Sequence, residues 1–236
     1  MVRINRAIPK EKIKLLIFDL DGTLVDSRQD LSNSINAMLR HFHREELSSD
    51  VISGYIGDGA PTLVRRSLGF ADHADLKHDH EEFVEEALTY FLDFYREHKL
   101  DHTYVYEGVI GALRAIRASS QGNPRVMSVL SNKPVGPSRA IVDALGLKEF
   151  FVSVYGGNSF ETKKPDPLGI HTVLRETNTQ PEEAVIIGDS YIDMIAGRNA
   201  GIYSCGVNYG LSPETLVETP GDVMVGSAQE WIEVFG

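Results

Sequence analysis

The sequence predicts an α/β protein: a doubly wound, mostly parallel sheet with an inserted helical domain. Short apolar runs bounded by turn residues alternate with helical segments after residue 105, which is typical of strand-helix-strand units. In contrast, the stretch 28–102 contains no convincing strand and shows helical periodicity. An insertion of that length inside a compact sheet is expected to form a small domain of its own.

The strands of the sheet are predicted from buried segments rich in β-branched residues. They are KLLIF (14–18), RVMSVL (125–130), FFVSVY (150–155) and AVIIG (184–188), with weaker candidates IYSCGV (202–207) and DVMVG (222–226). Start and stop signals predict the helices between them, over 107–122, 135–146 and 167–177.

The inserted segment carries apolar residues at helical spacing, as in Leu31, Ile35, Met38 and Phe42. We therefore predict an α/β core domain of residues 1–26 and 103–236 and a helical cap domain of residues 27–102. The charged residues around Pro9 predict a loose N-terminal tail.

The overall composition argues against some classes of protein, such as nucleic-acid-binding and membrane-spanning proteins. The formal net charge of −11 and the lack of a basic stripe argue against a nucleic-acid partner. No apolar run is long enough to span a bilayer, and the single Cys205 has no partner for an intrachain disulfide, so we expect a soluble cytoplasmic protein. If the substrate is an anion, a metal cation or local donors must reverse the sign of the field at the site.

Polar and ionisable residues recur where the predicted parallel strands end, and ligands bind at that edge of such sheets. They are Asp19 and Asp21 after the first strand, Ser131, Asn132 and Lys133 after the second, and Gly188, Asp189 and Ser190 after the fourth. Lys163 and Lys164 precede the helix that starts near Pro167. Any single residue here has the alternative role of a turn or helix cap, but together they indicate a site.

The chemistry of these residues points to a magnesium-dependent phosphoryl site. Asp19, Asp189 and Asp193 cannot share one site without a strong rise in pKa or a cation. Mg²⁺ prefers such oxygen ligands, and Asp189 and Asp193 lie about one turn apart if a helix opens near Ser190. Ser131, Asn132 and a lysine are suitable donors to phosphate oxygens.

The sequence resembles the haloacid dehalogenase superfamily of aspartyl-phosphate-forming hydrolases. Its motifs appear in order as DLDGT (19–23), Ser131 within VLSNK, Lys164 within KKPDP, and GDxxxD (188–193). The helical insertion between the first two motifs is similar to the cap of the superfamily's first subclass. The resemblance covers nearly the whole chain.

The resemblance implies that Asp19 is the nucleophile and that Asp21 is the general acid and then the base. Mg²⁺ would be held by Asp19, the backbone carbonyl of Asp21 and Asp189, with Asp193 assisting. An acid at position 21 favours phosphate chemistry, because dehalogenases of this superfamily lack it.

The other motif residues receive roles from the same resemblance. Ser131, Asn132 and Lys164 would bind the transferring phosphoryl oxygens. Gly22 and Thr23 would support the loop of the nucleophile, and Gly22 lets the backbone turn without a β-carbon clash. For Lys163 and Lys164 the alternative is a solvated surface charge, and one of the two is expected to fit it.

The cap stretch 54–69, the segments FYREH (94–98) and YEGV (106–109), and the late VNYGLSPETL (207–216) resemble phosphoglycolate phosphatases. The backbone N–H groups of Gly57, Asp58 and Gly59, or the side chain of Arg65 or Arg66, would then donate hydrogen bonds to the substrate carboxylate. A plain turn at 57–59 and solvent-facing arginines are the structural alternatives.

Three functions remain open from the sequence. The first is a Mg²⁺-dependent phosphomonoesterase that hydrolyses a small phosphorylated metabolite, with 2-phosphoglycolate as the expected substrate. The second is a phosphosugar mutase of the β-phosphoglucomutase type. The third is a non-catalytic regulator that binds a phosphometabolite. A monomer or a homodimer is expected in each case.

Overall fold

The computed structural model describes residues 1–70, 78–119 and 125–236. The described chain divides into two compact units. The core unit contains Met1–Asp26 and Val105–Gly236, and the helical unit contains Ser27–Tyr104. The predicted boundaries, after residues 26 and 102, lie at or close to these divisions.

The core unit is built on a seven-stranded sheet within the described ranges. Its strands are β1 (Arg3–Ile4), β2 (Leu15–Phe18), β5 (Val126–Leu130), β6 (Ser153–Tyr155), β7 (Ala184–Gly188), β8 (Tyr203–Val207) and β9 (Val223–Val225). Their order is β1-β9-β8-β7-β2-β5-β6, and every pair is parallel except the antiparallel pair of β1 and β9. The predicted parallel α/β architecture is confirmed.

The central strands β2 and β7 determine where the site lies. Every residue of both strands is buried, which explains their continuous apolar runs in place of an alternating pattern. Leu16 of β2 pairs with Met127 of β5 on one side and with Val185 of β7 on the other. The strand order therefore reverses at β2, and the crevice beyond Phe18 and Gly188 is where such sheets bind ligands.

Helices cover both faces of the sheet. They are α5 (Val109–Ser119), α6 (Val135–Ala144), α7 (Leu168–Glu176), α8 (Tyr191–Ala200) and α9 (Glu230–Phe235). Leu16 and Phe18 pack in the cluster that contains Leu113 of α5 and Trp231 of α9. Leu15 and Ile17 point to the opposite face, in the cluster of Ile170 from α7 and Ala196 from α8.

The helical unit contains α1 (Arg28–His41), α2 (Ser49–Ser53), α3 (Ala60–Ser67) and α4 (His78–His98). The apolar periodicity of the sequence is confirmed here, because Ile35 and Met38 of α1 are fully buried in one cluster with Phe91 and Tyr95 of α4. The two-residue strands β3 (Val25–Asp26) and β4 (Tyr104–Val105) lie where the chain passes between the units. Within the described ranges, no helix combines the length and the apolar character that a membrane crossing requires.

The prediction of a loose N-terminal tail is wrong for its first residues. Arg3 pairs with Met224 and Ile4 with Val223, so β1 closes the edge of the sheet. Two residues are too few to show the alternating pattern of a strand, and the open edge of β9 supplies the pairing. The predicted helix over 107–122 is confirmed from Val109 to Ser119, and its last residues lie outside the described ranges.

Candidate active site

The loop that carries the predicted nucleophile continues directly from β2. The amide of Asp19 donates to the carbonyl of Ile187 at 2.9 Å, so the pairing between β2 and β7 extends one residue into the loop. The side chain of Asp19 is almost buried. The chain then turns back at Gly22, whose φ of 81° is a left-handed conformation that glycine adopts without a steric penalty.

The turn at Gly22 also makes room for a second carboxylate. A β-carbon on Gly22 would lie 2.0 Å from Oδ2 of Asp189, and one on Gly210 would lie 2.2 Å from Cβ of Asp189. Thr23 is fully buried, and its carbonyl accepts a hydrogen bond of 3.0 Å from the Tyr209 hydroxyl. Asp189 is therefore enclosed by the backbone of two loops.

Three carboxylates converge at the reversal point of the sheet. One oxygen from each of Asp19, Asp189 and Asp193 lies within 4.8 Å of the other two. Helix α8 begins at Tyr191 directly after Ser190, so Asp189 precedes the helix and Asp193 lies in its first turn. The two carboxylates therefore come together across the start of the helix, and not on one helical face as the spacing predicted.

Lys164 bridges this acidic group. Its Nζ lies 2.9 Å from Oδ1 of Asp19 and 2.6 Å from Oδ1 of Asp193, and its side chain is 2% exposed. The amide nitrogen of Asn132 donates to the Lys164 carbonyl at 2.9 Å and so connects two of the predicted motif residues. Lys163 is exposed, so the structure distinguishes between the two candidate lysines.

Asp193 makes contacts through both of its oxygens. Oδ1 contacts Lys164, and Oδ2 accepts hydrogen bonds from the hydroxyl of Ser190 at 3.0 Å and from its amide at 3.3 Å. A β-carbon on Gly188 would lie 2.1 Å from Cγ of Asp193. The glycine that begins the fourth motif therefore provides space for the aspartate that ends it.

Burial and charge shift the pKa values of the cluster. Burial raises the pKa of Asp19 to about 6, and Lys164 opposes this shift while Asp193 and Asp21 add to it. Burial also raises the pKa of Asp189 well above its ordinary value, and the charges of Asp19 and Asp193 add to that rise. Burial alone would lower the pKa of Lys164, but its two carboxylate partners outweigh it and raise the pKa.

Asp21 has a different partner from Asp19. The Nζ of Lys133 lies 3.0 Å from Oδ2 and 3.1 Å from Oδ1 of Asp21. Both side chains are largely shielded from solvent, at 5% exposure for Lys133 and 10% for Asp21. The sequence identified Lys133 as a residue at a strand end but assigned it no role.

Ser131 and Asn132 lie buried at the end of β5. The amide of Ser131 donates to the carbonyl of Tyr155 at 3.0 Å, and its hydroxyl accepts from the amide of Lys133 at 3.3 Å. A β-carbon on Gly157 would lie 2.3 Å from the carbonyl oxygen of Asn132. The loop after β6 therefore packs closely against this motif.

Two backbone amides in the site were not identified from the sequence. Those of Leu211 and Ser212 donate to Oδ2 of Asp189 at 2.6 and 3.2 Å. They oppose the rise in the pKa of Asp189 and hold its carboxylate in one orientation. A backbone donor has no side-chain signature, and Gly210 in the sequence NYGLS is the only local hint of this close approach.

The predicted specificity residues belong to the helical unit. Gly57 and Gly59 have left-handed φ values of 123° and 88°, and Gly59 directly precedes α3. Oδ2 of Asp58 lies 2.8 Å from Nη1 of Arg66, and both side chains are partly exposed. Arg65 is also partly exposed. Their role in substrate recognition stays a prediction.

The residues of the core unit suit a hard divalent cation next to a phosphate ester. Asp19, Asp189 and Asp193 supply only oxygen ligands, and their crowding in a buried site favours a bound cation or protonation. Lys164 supplies one positive charge between two of these carboxylates. This donor set fits Mg²⁺, which takes carboxylates together with substrate oxygens.

The chain is similar to known hydrolases over most of its length. The family model described as "Haloacid dehalogenase-like hydrolase" matches residues 16–207. The phosphoglycolate phosphatase of Chromobacterium violaceum is 36% identical over 221 residues, which cover 92% of this chain and 94% of that protein. The phosphoglycolate phosphatase of Pseudomonas putida is 38% identical over 215 residues, which cover 89% of this chain and 75% of that protein.

A solved structure is similar over the same range. The crystal structure of a "predicted phosphoglycolate phosphatase" from Haemophilus somnus has a TM-score of 0.85 and 27% sequence identity to this chain. The superposition covers 94% of this chain and 98% of the other.

Proposed function

The chain belongs to the haloacid dehalogenase-like hydrolases, and we propose that it hydrolyses 2-phosphoglycolate with the help of Mg²⁺. It is a phosphoric monoester hydrolase. The reaction type is supported by the cluster of Asp19, Asp189 and Asp193. Lys164 lies between Asp19 and Asp193 in this cluster. The substrate is inferred from the named relatives, since two phosphoglycolate phosphatases align with about nine-tenths of the chain.

Asp19 is the nucleophile in this proposal. Its Oδ attacks phosphorus, the bond from phosphorus to the ester oxygen breaks, and an aspartyl-phosphate forms. Asp21 donates a proton to the leaving alkoxide and then takes one from the water that hydrolyses the intermediate. Two smaller barriers thus replace one large barrier.

The phosphoryl oxygens are received by donors at the ends of β5 and before α7. Ser131, Asn132 and Lys164 provide a hydroxyl, an amide and an ammonium group, which are suitable partners for three oxygens that share negative charge. Lys164 is already held between Asp19 and Asp193, so it needs little reorganisation when the substrate binds.

The metal would be held by Asp19, the backbone carbonyl of Asp21 and Asp189, with Asp193 assisting. When bound, Mg²⁺ offsets the repulsion between the carboxylates and the phosphate and stabilises the charge of the transition state. Burial is the main cause of the raised pKa values of Asp19 and Asp189, and the neighbouring carboxylates add to it. These shifts support the assignment, because a bound cation would stabilise the ionised carboxylates that burial disfavours.

We further infer that the helical unit acts as a cap that selects the ester. Its loop of Gly57, Asp58 and Gly59 and its residues Arg65 and Arg66 are the candidate contacts. The ion pair between Asp58 and Arg66 supports a preformed loop, because it connects the loop to α3.

A panel of phosphate esters, assayed for free phosphate with and without Mg²⁺, tests the proposal. We expect the highest kcat/KM for 2-phosphoglycolate and no turnover in EDTA. Isomerisation of a sugar phosphate without phosphate release would contradict hydrolysis in favour of a mutase. No hydrolysis of any ester would favour a non-catalytic binding protein.

The variant Asp19→Asn tests the nucleophile. The asparagine is nearly isosteric, so the fold is expected to persist while turnover and phosphoryl transfer to the protein are lost. Asp143→Asn is the matched control, because the Asp143 side chain is 66% exposed and contacts Lys148. A wild-type rate in Asp19→Asn would remove Asp19 from its role.

A further inference from the structure

Lys133 is a buried lysine whose charge the proposed mechanism does not use. We propose that Lys133 recognises an acidic group on the leaving-group side of the substrate and so selects esters whose alcohol carries a carboxylate. This inference rests on the proposed function, because it uses Asp21 as the proton donor to the leaving group.

The backbone of Lys133 is held on several sides. Its carbonyl accepts a hydrogen bond from the amide of Gly157 at 2.8 Å, and its own amide donates to the Ser131 hydroxyl at 3.3 Å. A β-carbon on Gly156 would lie 2.5 Å from the Lys133 carbonyl oxygen. The start of the side chain is therefore fixed, and its ammonium group lies at a defined place beside Asp21.

The two buried lysines of the site lie beside carboxylates with different tasks. Lys164 contacts Asp19 and Asp193, so its charge is on the side of the attacked phosphorus. Lys133 contacts Asp21, which in the proposed reaction must reach the ester oxygen. The charge of Lys133 therefore lies next to whatever group is attached to that oxygen.

The chemistry of the proposed substrate matches this position. In 2-phosphoglycolate one methylene group separates the ester oxygen from the carboxylate, so a donor beside Asp21 is within reach of that carboxylate. A lysine can contact Asp21 and the substrate carboxylate at the same time, because its ammonium is a compact charge with three donors and no fixed planar geometry. A local cation is also needed because the chain carries a net charge of −11, which repels a substrate with two acidic groups.

A purely positioning role for Lys133 makes a different prediction. If Lys133 only orients Asp21, its loss slows the hydrolysis of every ester that needs a proton on its leaving group. If Lys133 binds the substrate carboxylate, its loss has an additional effect on carboxylated esters alone. A ratio of two substrates that both depend on Asp21 separates these roles.

The experiment compares 2-phosphoglycolate with ethyl phosphate, in which a methyl group replaces the carboxylate. We expect Lys133→Met to lower the ratio of their kcat/KM values by at least about tenfold, the effect of one lost charged hydrogen bond. The rise in KM for 2-phosphoglycolate should account for most of the loss. Lys163→Met, which removes an exposed lysine from the core unit, should leave the ratio unchanged.

Binding of inert analogues gives a readout that needs no turnover. 3-Phosphonopropionate retains the carboxylate of the substrate, and propylphosphonate replaces it with a methyl group. In isothermal titration calorimetry with Mg²⁺ present, Lys133→Met and Lys133→Gln should weaken binding of 3-phosphonopropionate at least about tenfold. Binding of propylphosphonate should change less than about threefold.

Several results would overturn the inference. An equal loss for both esters would leave Lys133 with a positioning role, and so would an equal loss for both phosphonates. A ratio that collapses in Arg66→Met but not in Lys133→Met would assign the carboxylate to the helical unit. If the wild type hydrolyses neither ester, the proposed function fails, whereas the comparison of the two phosphonates still decides the role of Lys133.

Discussion

Gly22 and Asp189 lie so close together that a β-carbon on the glycine would stand 2.0 Å from the carboxylate oxygen Oδ2. They follow different strands of the core unit, β2 and β7, which are neighbours in the sheet. The loop after β2 is therefore shaped around the carboxylate that follows β7. Asp189 of the fourth motif can therefore occupy its position only because residue 22 of the first motif is a glycine.

Replacement of Gly22 by alanine should abolish activity and destabilise the protein by about 2–5 kcal/mol. The left-handed backbone costs about 1–2 kcal/mol for a residue with a β-carbon, and the clash adds about 1–3 kcal/mol. Gly146→Ala is the control, because Gly146 has a φ of 70° and no atom within 4 Å of an added β-carbon. Equal free energies of unfolding in urea for the two variants would contradict the role of the clash.

Loss of the ammonium group in Lys164→Met should abolish activity and destabilise the protein by about 3–5 kcal/mol, since buried carboxylates lose their partner. The double variant Lys164→Met/Asp193→Asn should recover part of the stability without any activity, because it removes one of the unpaired charges. Thermal unfolding and phosphate release measure the two effects. If Lys164→Met unfolds like the exposed-site variant Lys163→Met, the bridge does not contribute to stability.

A divalent cation should raise the melting temperature of the protein. Asp19, Asp189 and Asp193 crowd within 4.8 Å, and a bound cation removes their mutual repulsion. At 100 times its Kd, Mg²⁺ should stabilise the native state by about 2.7 kcal/mol. Differential scanning fluorimetry with Mg²⁺ and with EDTA measures the shift.

The variant Asp189→Asn provides the test of the cation site. It should lose most of the Mg²⁺-dependent shift in melting temperature, whereas Asp143→Asn should retain it. A shift of the same size in both variants would mean that the cation binds elsewhere.

Asp30 should be a stability determinant of the helical unit. Asp30 is buried. Its carboxylate accepts hydrogen bonds from the backbone amide of Thr103 at 2.8 Å, from the Thr103 hydroxyl at 2.7 Å and from the backbone amide of His102 at 3.0 Å. Asp30→Ala leaves these donors without their acceptor and should cost about 2–4 kcal/mol.

Hydrogen exchange measures this effect locally. Amides of α1 and of Thr103 should exchange faster in Asp30→Ala, and those of β2 should change less. Asp93→Ala is the control, because the Asp93 side chain is 60% exposed. Equal exchange in the two variants would show that the Asp30 contacts carry no net stability.

The sequence was sufficient for the parts of the fold whose signal is local. Strands β2 and β7 are buried on both faces, so they appear as continuous apolar runs, and both were predicted within one residue of their ends. The two-residue strands β1, β3 and β4 were missed, because so short a segment has no period to detect and forms only where a partner is available.

By itself, the sequence determined the α/β architecture, the helical insertion and the motif residues, because apolar periodicity and motif spacing depend on residues that are close together in the sequence. Only the tertiary structure decided that Lys164, and not Lys163, enters the acidic cluster. It also decided that Lys133 meets Asp21, a residue 112 positions away, and that the amides of Leu211 and Ser212 hold Asp189. Burial and pairing between distant segments depend on how the strands assemble, and backbone donors are common to every residue type except proline.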